Sequence, residues 1–325
     1  MRTITLEEHF ATPAFLRGPG REQQDQVERL GKERAARLVE QLCDIGGGRV
    51  AAMDAAGIDM QLLSLTAPGV EQSATDEAIA VAIDSNDRLA EAVRKHPTRL
   101  AGFAALPTPA PDQAAAELER RVRLDGFKGA LINGHSRGRY LDDKFFWPIL
   151  ECAEALDVPI YLHPTRPPQA VVDASFGGFA PLVTQLFAGP GWGWHIETAV
   201  HVLRLILGGV FDRFPKLQVV VGHMGEGLPF MFRRVDIMAP ALTRLQRPVS
   251  AYLRENVHYT FSGFNFAPTF LDLLLELGGV DRIMFSADYP HQSMAKARAF
   301  LEEIPVTAAD RERIAHGNAE RLFRL

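Results

Sequence analysis

The chain contains 325 residues, which would suit two ordinary domains or one large α/β barrel, a fold that commonly needs about 250 residues. Its 35 basic and 40 acidic side chains give a net charge of −5, which argues against nucleic acid as the main partner. No apolar run approaches the roughly 18 residues that cross a bilayer, and residues 1–10 carry acids where a signal peptide would need an apolar core. We therefore expect a cytoplasmic protein without a membrane partner.

Short apolar segments alternate along the chain with longer segments of helical periodicity. Several of the short segments are almost continuously hydrophobic, as expected for parallel strands covered on both faces. The eight predicted strands are residues 4–10, 62–67, 101–106, 128–134, 159–164, 217–224, 258–263 and 282–290. The predicted helices are residues 76–96, 111–124, 145–157, 195–214, 266–278 and 294–304, with a last helix that begins near residue 307.

This alternation predicts an α/β fold, and within that class a (β/α)₈ barrel of the TIM type. An open doubly wound sheet is the rival, but a closed ring brings the first and last strands together, and polar residues follow strands at both ends of the chain. Residues 11–60 and 164–194 interrupt the alternation as insertions. The second is rich in proline, glycine and aromatic residues, which favours an ordered cover over an active site. We see no domain boundary and expect a single domain over residues 1–325.

Residues able to bind a metal occupy the ends of four predicted strands. Glu7 and His9 are two residues apart on the first strand, so their side chains share one face. His163, His223 and Asp288 each lie at the end of a buried apolar strand. Any one of these alone is more often a core histidine, a helix cap or an exposed charge, but together they predict a metal site at the barrel end where active sites lie. Oxygen and nitrogen ligands suit Zn²⁺ or Mn²⁺, and ligand type does not decide between them.

Three further polar residues are candidates for the site. Glu226 follows His223 at a spacing of three residues. Arg234 could meet a substrate carboxylate or be a solvated helix charge. Asn133 ends the fourth strand and could hydrogen-bond a substrate or cap a turn. The histidines to which the sequence assigns no site role include His195, His201, His258 and His291.

Several longer motifs make the chain similar to a known family. They are LEEHFA at 6–11, MDAAGID at 53–59, GFKGALING at 126–134, YLHP at 161–164, VGHMGEGLP at 221–229 and RIMFSADYP at 282–290. The chain resembles the amidohydrolase-superfamily decarboxylases related to aminocarboxymuconate semialdehyde decarboxylase, with the nearest likeness to γ-resorcylate and 5-carboxyvanillate decarboxylases. The resemblance spans nearly the whole chain, and GHMGEGLP combined with SADYP is its most specific part.

The resemblance implies a distorted, amidohydrolase-like barrel with one divalent metal ion. It implies non-oxidative decarboxylation of a hydroxybenzoate-type aromatic carboxylate to CO₂ and a phenol, with Asp288 as the proton donor and His223 assisting. It also implies a homodimer or homotetramer. Carried over by position, the metal ligands are Glu7, His9, His163 and Asp288, the catalytic pair is His223 with Glu226, and Arg234 contacts the substrate.

Two other functions stay open on the sequence. A metal-dependent hydrolase of the same superfamily would use the same ligands, attack a lactone or an amide with metal-bound water, and employ Asp288 as general base. A non-catalytic scaffold would tolerate lost ligands, whereas every matched position is retained here. The decarboxylase and the hydrolase differ in product, because a decarboxylase releases CO₂ and a hydrolase adds water to its substrate.

Overall fold

A computed structural model describes residues 1–21, 24, 25, 28 and 31–325 of the chain. Its strands are all paired in parallel, in the order β1-β2-β3 and then β4 through β9. The strands are β1 Ile4–Phe10, β2 Met60–Leu65, β3 Leu100–Gly102, β4 Ala104–Ala105, β5 Ala130–Asn133, β6 Ile160–His163, β7 Val219–Val221, β8 Val257–Thr260 and β9 Ile283–Met284.

The two runs of strands join into one ring. Only Phe103 separates β3, which pairs with β2, from β4, which pairs with β5, so β3 and β4 share one place. A bridge between Leu6 and Ser286 joins β1 to the segment after β9, and the His9 N–H donates to the Tyr289 carbonyl at 2.7 Å. The predicted α/β barrel is confirmed, and its closure brings the first and last strands side by side.

Helices surround this ring. Most of the helices that the sequence predicts begin and end within two or three residues of the observed bounds. The predicted helix 195–214 is divided, because Gly208 and Gly209 lie at the break and Gly209 has a φ of 72°. Among the described residues, no helix is both long and apolar enough to span a bilayer. The α-helices are Pro13–Arg17, Lys32–Cys43, Gly47–Ala56, Thr75–Lys95, Pro111–Asp125, Trp147–Leu156, Gln169–Ser175, Pro181–Ala188, Gly193–Leu207, Val210–Arg213, Phe232–Val235, Pro240–Thr243, Val249–Glu255, Ala267–Leu277, Met294–Glu303, Ala308–Glu312 and Asn318–Phe323.

The lower half of the barrel is filled by apolar side chains. Leu6, Leu62, Phe103 and Val220 are buried there in one cluster, and Phe323 of the last helix packs edge-on against Phe103. The cluster draws on the first residues of several strands, so it closes the amino-terminal end of the ring. The polar side chains described below are therefore left at the carboxyl ends of the strands, as is usual for this fold.

Two expectations about local structure were wrong. The predicted strands 217–224 and 282–290 are too long, since β7 ends at Val221 and β9 at Met284. The backbone of His223 and Asp288 has positive φ values of 49° and 62°, which turns the chain out of the sheet. The insertion 164–194 contains the helices Gln169–Ser175 and Pro181–Ala188, which the sequence pattern did not predict.

Candidate active site

The first strand presents Glu7 and His9 through a β-bulge. The register of β1 against β2 shifts between Thr5 and Glu8, and Glu7 has a φ of 61°. A carboxylate-bearing residue with a positive φ is strained, and such strain is concentrated at functional sites. Glu7 and His9 are both fully buried, at 0% and 1% exposure, so neither is the exposed strand charge that the sequence alone allowed.

Glu7 and His9 meet the other candidate ligands at the top of the barrel. Glu7 Oε1 lies 3.3 Å from His163 Nε2, and His9 Nε2 lies 3.3 Å from Asp288 Oδ1. One ligand atom from each of Glu7, His9 and His163 lies within 4.8 Å of the others. Glu7 Oε1 and His9 Nε2 are buried without a hydrogen-bond partner among the described residues, although buried polar atoms are normally bonded. These orphaned atoms, with imidazole and carboxylate donors combined, fit a divalent cation.

The second oxygen of Glu7 is fixed by hydroxyl groups. Tyr161 and Ser262 both donate to Oε2, so Oε1 is left facing the histidines. Burial raises the pKa of Glu7, but the neighbouring His223 and His163 outweigh it and hold the pKa well below its usual range. Glu7 is therefore a carboxylate with one oxygen free to bind a cation.

Glu8 faces away from the metal candidates. Its Oε1 accepts the Ala287 N–H at 2.9 Å, and its Oε2 accepts the Tyr289 N–H at 3.2 Å. Burial raises the pKa of Glu8 to about 7, and the Ala287 N–H opposes this rise. Because Ala287 and Tyr289 flank Asp288, Glu8 connects β1 to the segment that carries Asp288.

His223 and Glu226 form a pair, and His195 joins it from a helix. The Nδ1 atom of His223 lies 2.7 Å from Glu226 Oε1, and that of His195 lies 2.5 Å from Glu226 Oε2. Burial lowers the pKa of His223, but the carboxylates of Glu226 and Glu7 outweigh it and raise the pKa to about 10. The ring of Phe264 lies 5.1 Å from both imidazoles and shields the pair. Sequence reasoning missed His195, whose only signal was its place directly after the insertion 164–194.

Asp288 and His291 share the loop that follows β9. Burial, with the nearby Glu7 carboxylate, raises the pKa of Asp288 well above its usual value. The His291 ring lies 5.4 Å from that of His9, and its Nε2 lies 3.2 Å from the hydroxyl of Thr66. Burial, reinforced by His163, lowers the pKa of His291 to about 4. His291 was also missed, although it follows Asp288 at the spacing that separates Glu226 from His223.

The two predicted substrate contacts occupy different settings. Asn133 pairs in register with His163, its backbone N–H donates to Glu71 Oε1 at 2.8 Å, and its Oδ1 is buried without a partner among the described residues. Arg234 lies on the short helix Phe232–Val235 with its side chain exposed, and within the described part of the chain it has no side-chain hydrogen bond or ion pair. The structure thus brings Asn133 beside the candidate ligands and leaves Arg234 free at the surface.

Together the fold and these contacts define a class, an α/β barrel that gathers carboxylates and imidazoles around a candidate metal centre at the carboxyl ends of its strands. The amidohydrolase family model matches residues 10–325. The γ-resorcylate decarboxylase of Polaromonas sp. (strain JS666 / ATCC BAA-500) is 42% identical over 335 residues, which cover 99% of this chain and 98% of that protein. The chain belongs to the amidohydrolase family and, within it, to the decarboxylases.

Solved structures give the same result. The dihydroxybenzoic acid decarboxylase of Polaromonas sp. JS666, with bound manganese and the inhibitor 2-nitroresorcinol, is similar with a TM-score of 0.86 and 39% identity, covering 100% of this chain and 97% of that one. The 5-carboxyvanillate decarboxylase of Sphingomonas paucimobilis is similar with a TM-score of 0.90 and 34% identity, covering 100% and 99%. The resemblance drawn from the sequence motifs is confirmed.

Proposed function

We propose that the protein catalyses the non-oxidative decarboxylation of a hydroxybenzoate-type acid, releasing CO₂ and a phenol. The observation that carries this proposal is the convergence of buried carboxylates and imidazoles at the carboxyl end of the barrel, where Glu7 Oε1, His9 Nε2 and His163 Nδ1 have no hydrogen-bond partner among the described residues. Full-length similarity to a γ-resorcylate decarboxylase supports the substrate class. So does the inhibitor of the related Polaromonas structure, 2-nitroresorcinol, a ring whose nitro group is flanked by two hydroxyls.

The proposed cofactor is one divalent metal ion, Mn²⁺ or Zn²⁺, held by Glu7, His9, His163 and Asp288. When bound, it supplies a Lewis acid for the carboxylate and ortho-hydroxyl oxygens of the substrate. Manganese in the related Polaromonas structure supports Mn²⁺. Elemental analysis of the purified protein should find about one metal ion per chain, and full activity of metal-free protein would contradict the proposal.

The chain's own residues would move the proton. Asp288, protonated when the substrate binds, donates to the ring carbon that bears the carboxylate; the C–C bond then breaks, its electron pair restores the aromatic ring, and CO₂ leaves. His223, oriented by Glu226, binds the substrate carboxylate or assists proton movement. Phe264 helps to exclude water beside His223.

Asn133 and Arg234 are the proposed substrate contacts. The unpartnered Oδ1 of Asn133 is a buried acceptor next to His163, suited to a phenolic hydroxyl. The exposed guanidinium of Arg234 is suited to a carboxylate. Substituting either by Ala should raise KM more than it lowers kcat.

Isotope labelling tests the reaction. Turnover of 2,6-dihydroxybenzoate in D₂O should place one deuterium on the ring carbon that carried the carboxylate, with CO₂ formed in equal amount. High bicarbonate should drive the reverse carboxylation, because the proton donor is retained. Incorporation of ¹⁸O from water into an organic product, without CO₂, would instead identify a hydrolase.

We further propose that the protein is a cytoplasmic homodimer or homotetramer. The insertion 164–194 supports the assembly, because Phe179, Leu182 and Val183 are 58%, 47% and 50% exposed, an unusual placement for large apolar side chains. Cell fractionation tests the location, and light scattering tests the oligomeric state.

A further inference from the structure

We propose that Trp194 and His195 are positioning residues that orient Glu226 and His223, and that through them the insertion 164–194 acts on the chemistry. The inference rests on the proposed role of His223. A continuous series of contacts runs from Trp194 through His195 and Glu226 to His223. Each contact has a direction, because some of the atoms can only donate a hydrogen bond and others can only accept one.

The direction is set by Trp194. An indole N–H is a donor only, and Trp194 Nε1 lies 3.0 Å from His195 Nε2, so that nitrogen must accept. A neutral imidazole that accepts at Nε2 carries its proton on Nδ1. The Nδ1 atom of His195 lies 2.5 Å from Glu226 Oε2 and donates to it. The donor of Trp194 and the acceptor oxygen of Glu226 therefore require the same form of His195.

Glu226 then accepts on both of its oxygens. His195 donates to Oε2, and His223 donates from Nδ1 to Oε1 at 2.7 Å. The carboxylate is almost fully buried, at 1% exposure, and two fixed donors hold it against rotation. Donation from Nδ1 leaves His223 Nε2 on the side of the metal candidates, 3.7 Å from Glu7 Oε1. The orientation of the His223 imidazole therefore depends on Glu226, which is held in turn by the hydrogen bond from His195.

The Pro190 carbonyl would favour a proton on the other ring nitrogen of His195, Nε2. The Pro190 carbonyl lies 3.2 Å from Nε2 and would be satisfied only by a proton there. Such a proton would face the Trp194 N–H directly, and that N–H has no other acceptor among the described residues. The donor of Trp194 is also the nearer group, so the form protonated on Nδ1 is favoured.

The location of Trp194 and His195 gives the insertion its influence. Both lie in the first turn of the helix Gly193–Leu207, where Trp194 is the last residue of the insertion and His195 follows it directly. A shift of this chain segment would move the indole donor away from His195. The insertion therefore supplies Trp194, whose N–H helps to hold His195 and, through it, the Glu226 acceptor of His223.

Four variants test the inference by kinetics. His195→Phe removes both ring nitrogens and should lower kcat about 10- to 100-fold, with KM, metal content and melting temperature little changed. His195→Asn keeps a donor near the place of Nδ1 and should restore kcat to within about fivefold of wild type. Trp194→Phe loses one hydrogen bond and should lower kcat about 3- to 10-fold. Trp192→Phe, at an indole that is 54% exposed, is the matched control and should equal wild type.

A spectroscopic measurement tests the same geometry without activity. In protein labelled with ¹⁵N-histidine, the His195 ring should carry its proton on Nδ1 and accept at Nε2, and Trp194→Phe should shift the Nε2 resonance, because that nitrogen loses its donor. A proton on Nε2 in the wild type would overturn the inference, as would wild-type kcat in His195→Phe or equal impairment of His195→Phe and His195→Asn. If the expected tautomer is seen in a protein that decarboxylates no hydroxybenzoate, only the proposed function fails.

Discussion

Neighbouring acids on one strand have opposite electrostatic settings. Glu7 faces imidazoles, which hold its pKa well below the usual range despite complete burial. Glu8, on the other face, meets backbone N–H groups that only partly offset burial, so its pKa rises to about 7. The difference arises from strand alternation, which sends the two side chains to different partners.

We therefore expect substitution of Glu7 to lower the metal content and substitution of Glu8 to leave it nearly unchanged. Glu7→Gln removes a charged ligand and should reduce bound metal to less than about a tenth of wild type. Glu8→Gln keeps an acceptor oxygen for the Ala287 N–H and should leave metal content nearly unchanged. Elemental analysis after gel filtration measures both. The reverse result would mean that the register of β1 is displaced by one residue.

Glu71 predicts a pH-dependent stability. Burial raises its pKa from 4.5 to about 7, and the Asn133 N–H only partly opposes this. The folded state therefore binds this proton more tightly than the unfolded state, so Glu71 costs stability increasingly as pH rises from about 4.5 to about 7. Glu71→Gln should remove a cost of up to about 3 kcal/mol at pH 8 and little at pH 4.5.

Urea unfolding of wild type and Glu71→Gln between pH 4.5 and 8 measures this effect. The stability difference should grow in favour of the variant as pH rises. The exposed Glu40, substituted in the same way, is the control for a general charge effect. A difference that stays constant across this range would show that Glu71 is not the group responsible.

At the scale of elements, the turns that follow the strands carry several of the site residues: His223 follows β7, and Asp288 and His291 follow β9. The turn after β7 passes beneath Glu7 at Gly222, where an added Cβ would lie 2.3 Å from Glu7 Oε2 and 2.8 Å from Ser262 Oγ. Its next residue, His223, has a positive φ and points its ring at the centre of the site. The absence of a side chain at Gly222 is thus a requirement of the site.

Gly222→Ala should therefore displace the Glu7 carboxylate. We expect metal affinity to fall about tenfold or more, with a destabilisation of about 1–3 kcal/mol from overpacking. Titration of metal into chelator-treated protein, together with urea unfolding, measures both quantities. Gly279→Ala is the matched control, because nothing lies within 4 Å of a Cβ there. Equal metal affinity in the two variants would contradict the assigned role of the turn.

At the scale of the whole molecule, ring closure assembles the site from distant parts of the chain. Glu7 lies on β1 and Asp288 on the loop after β9, and the bridge between Leu6 and Ser286 holds these two segments together. This arrangement supports our proposal that residues 1–325 form a single domain. Metal release and loss of the fold should then coincide during unfolding.

The assembly of subunits is predicted at the same scale. Light scattering should find a dimer or tetramer at micromolar concentration, and Leu182→Glu combined with Val183→Glu should shift it towards monomer, because charges would replace exposed apolar side chains. Leu124→Glu, at a side chain 75% exposed on the helix Pro111–Asp125, is the control. A wild-type monomer would refute the proposal, and an unchanged assembly in the double variant would exclude this surface.

The amino-acid sequence is enough to predict the alternation of strands and helices, to place Glu7 on the first strand, and to place His163, His223 and Asp288 at or shortly after the ends of later strands. These features follow from apolar runs and local periodicity, which are read within a few residues of each other. The capping of the helix Ala308–Glu312 by Thr307, whose hydroxyl accepts the Asp310 N–H at 3.1 Å, is a further local feature of this kind.

The folded structure was needed to show where the strands end, that His195 bonds Glu226, and that His291 lies beside His9. β7 ends at Val221 and β9 at Met284, and the positive φ angles at His223 and Asp288 then direct the chain away from the sheet. His195 and Glu226 are 31 residues apart, and Thr66 and His291 are 225 apart. No local pattern encodes such contacts, since they exist only when the ring closes and brings the carboxyl ends of all its strands to one place.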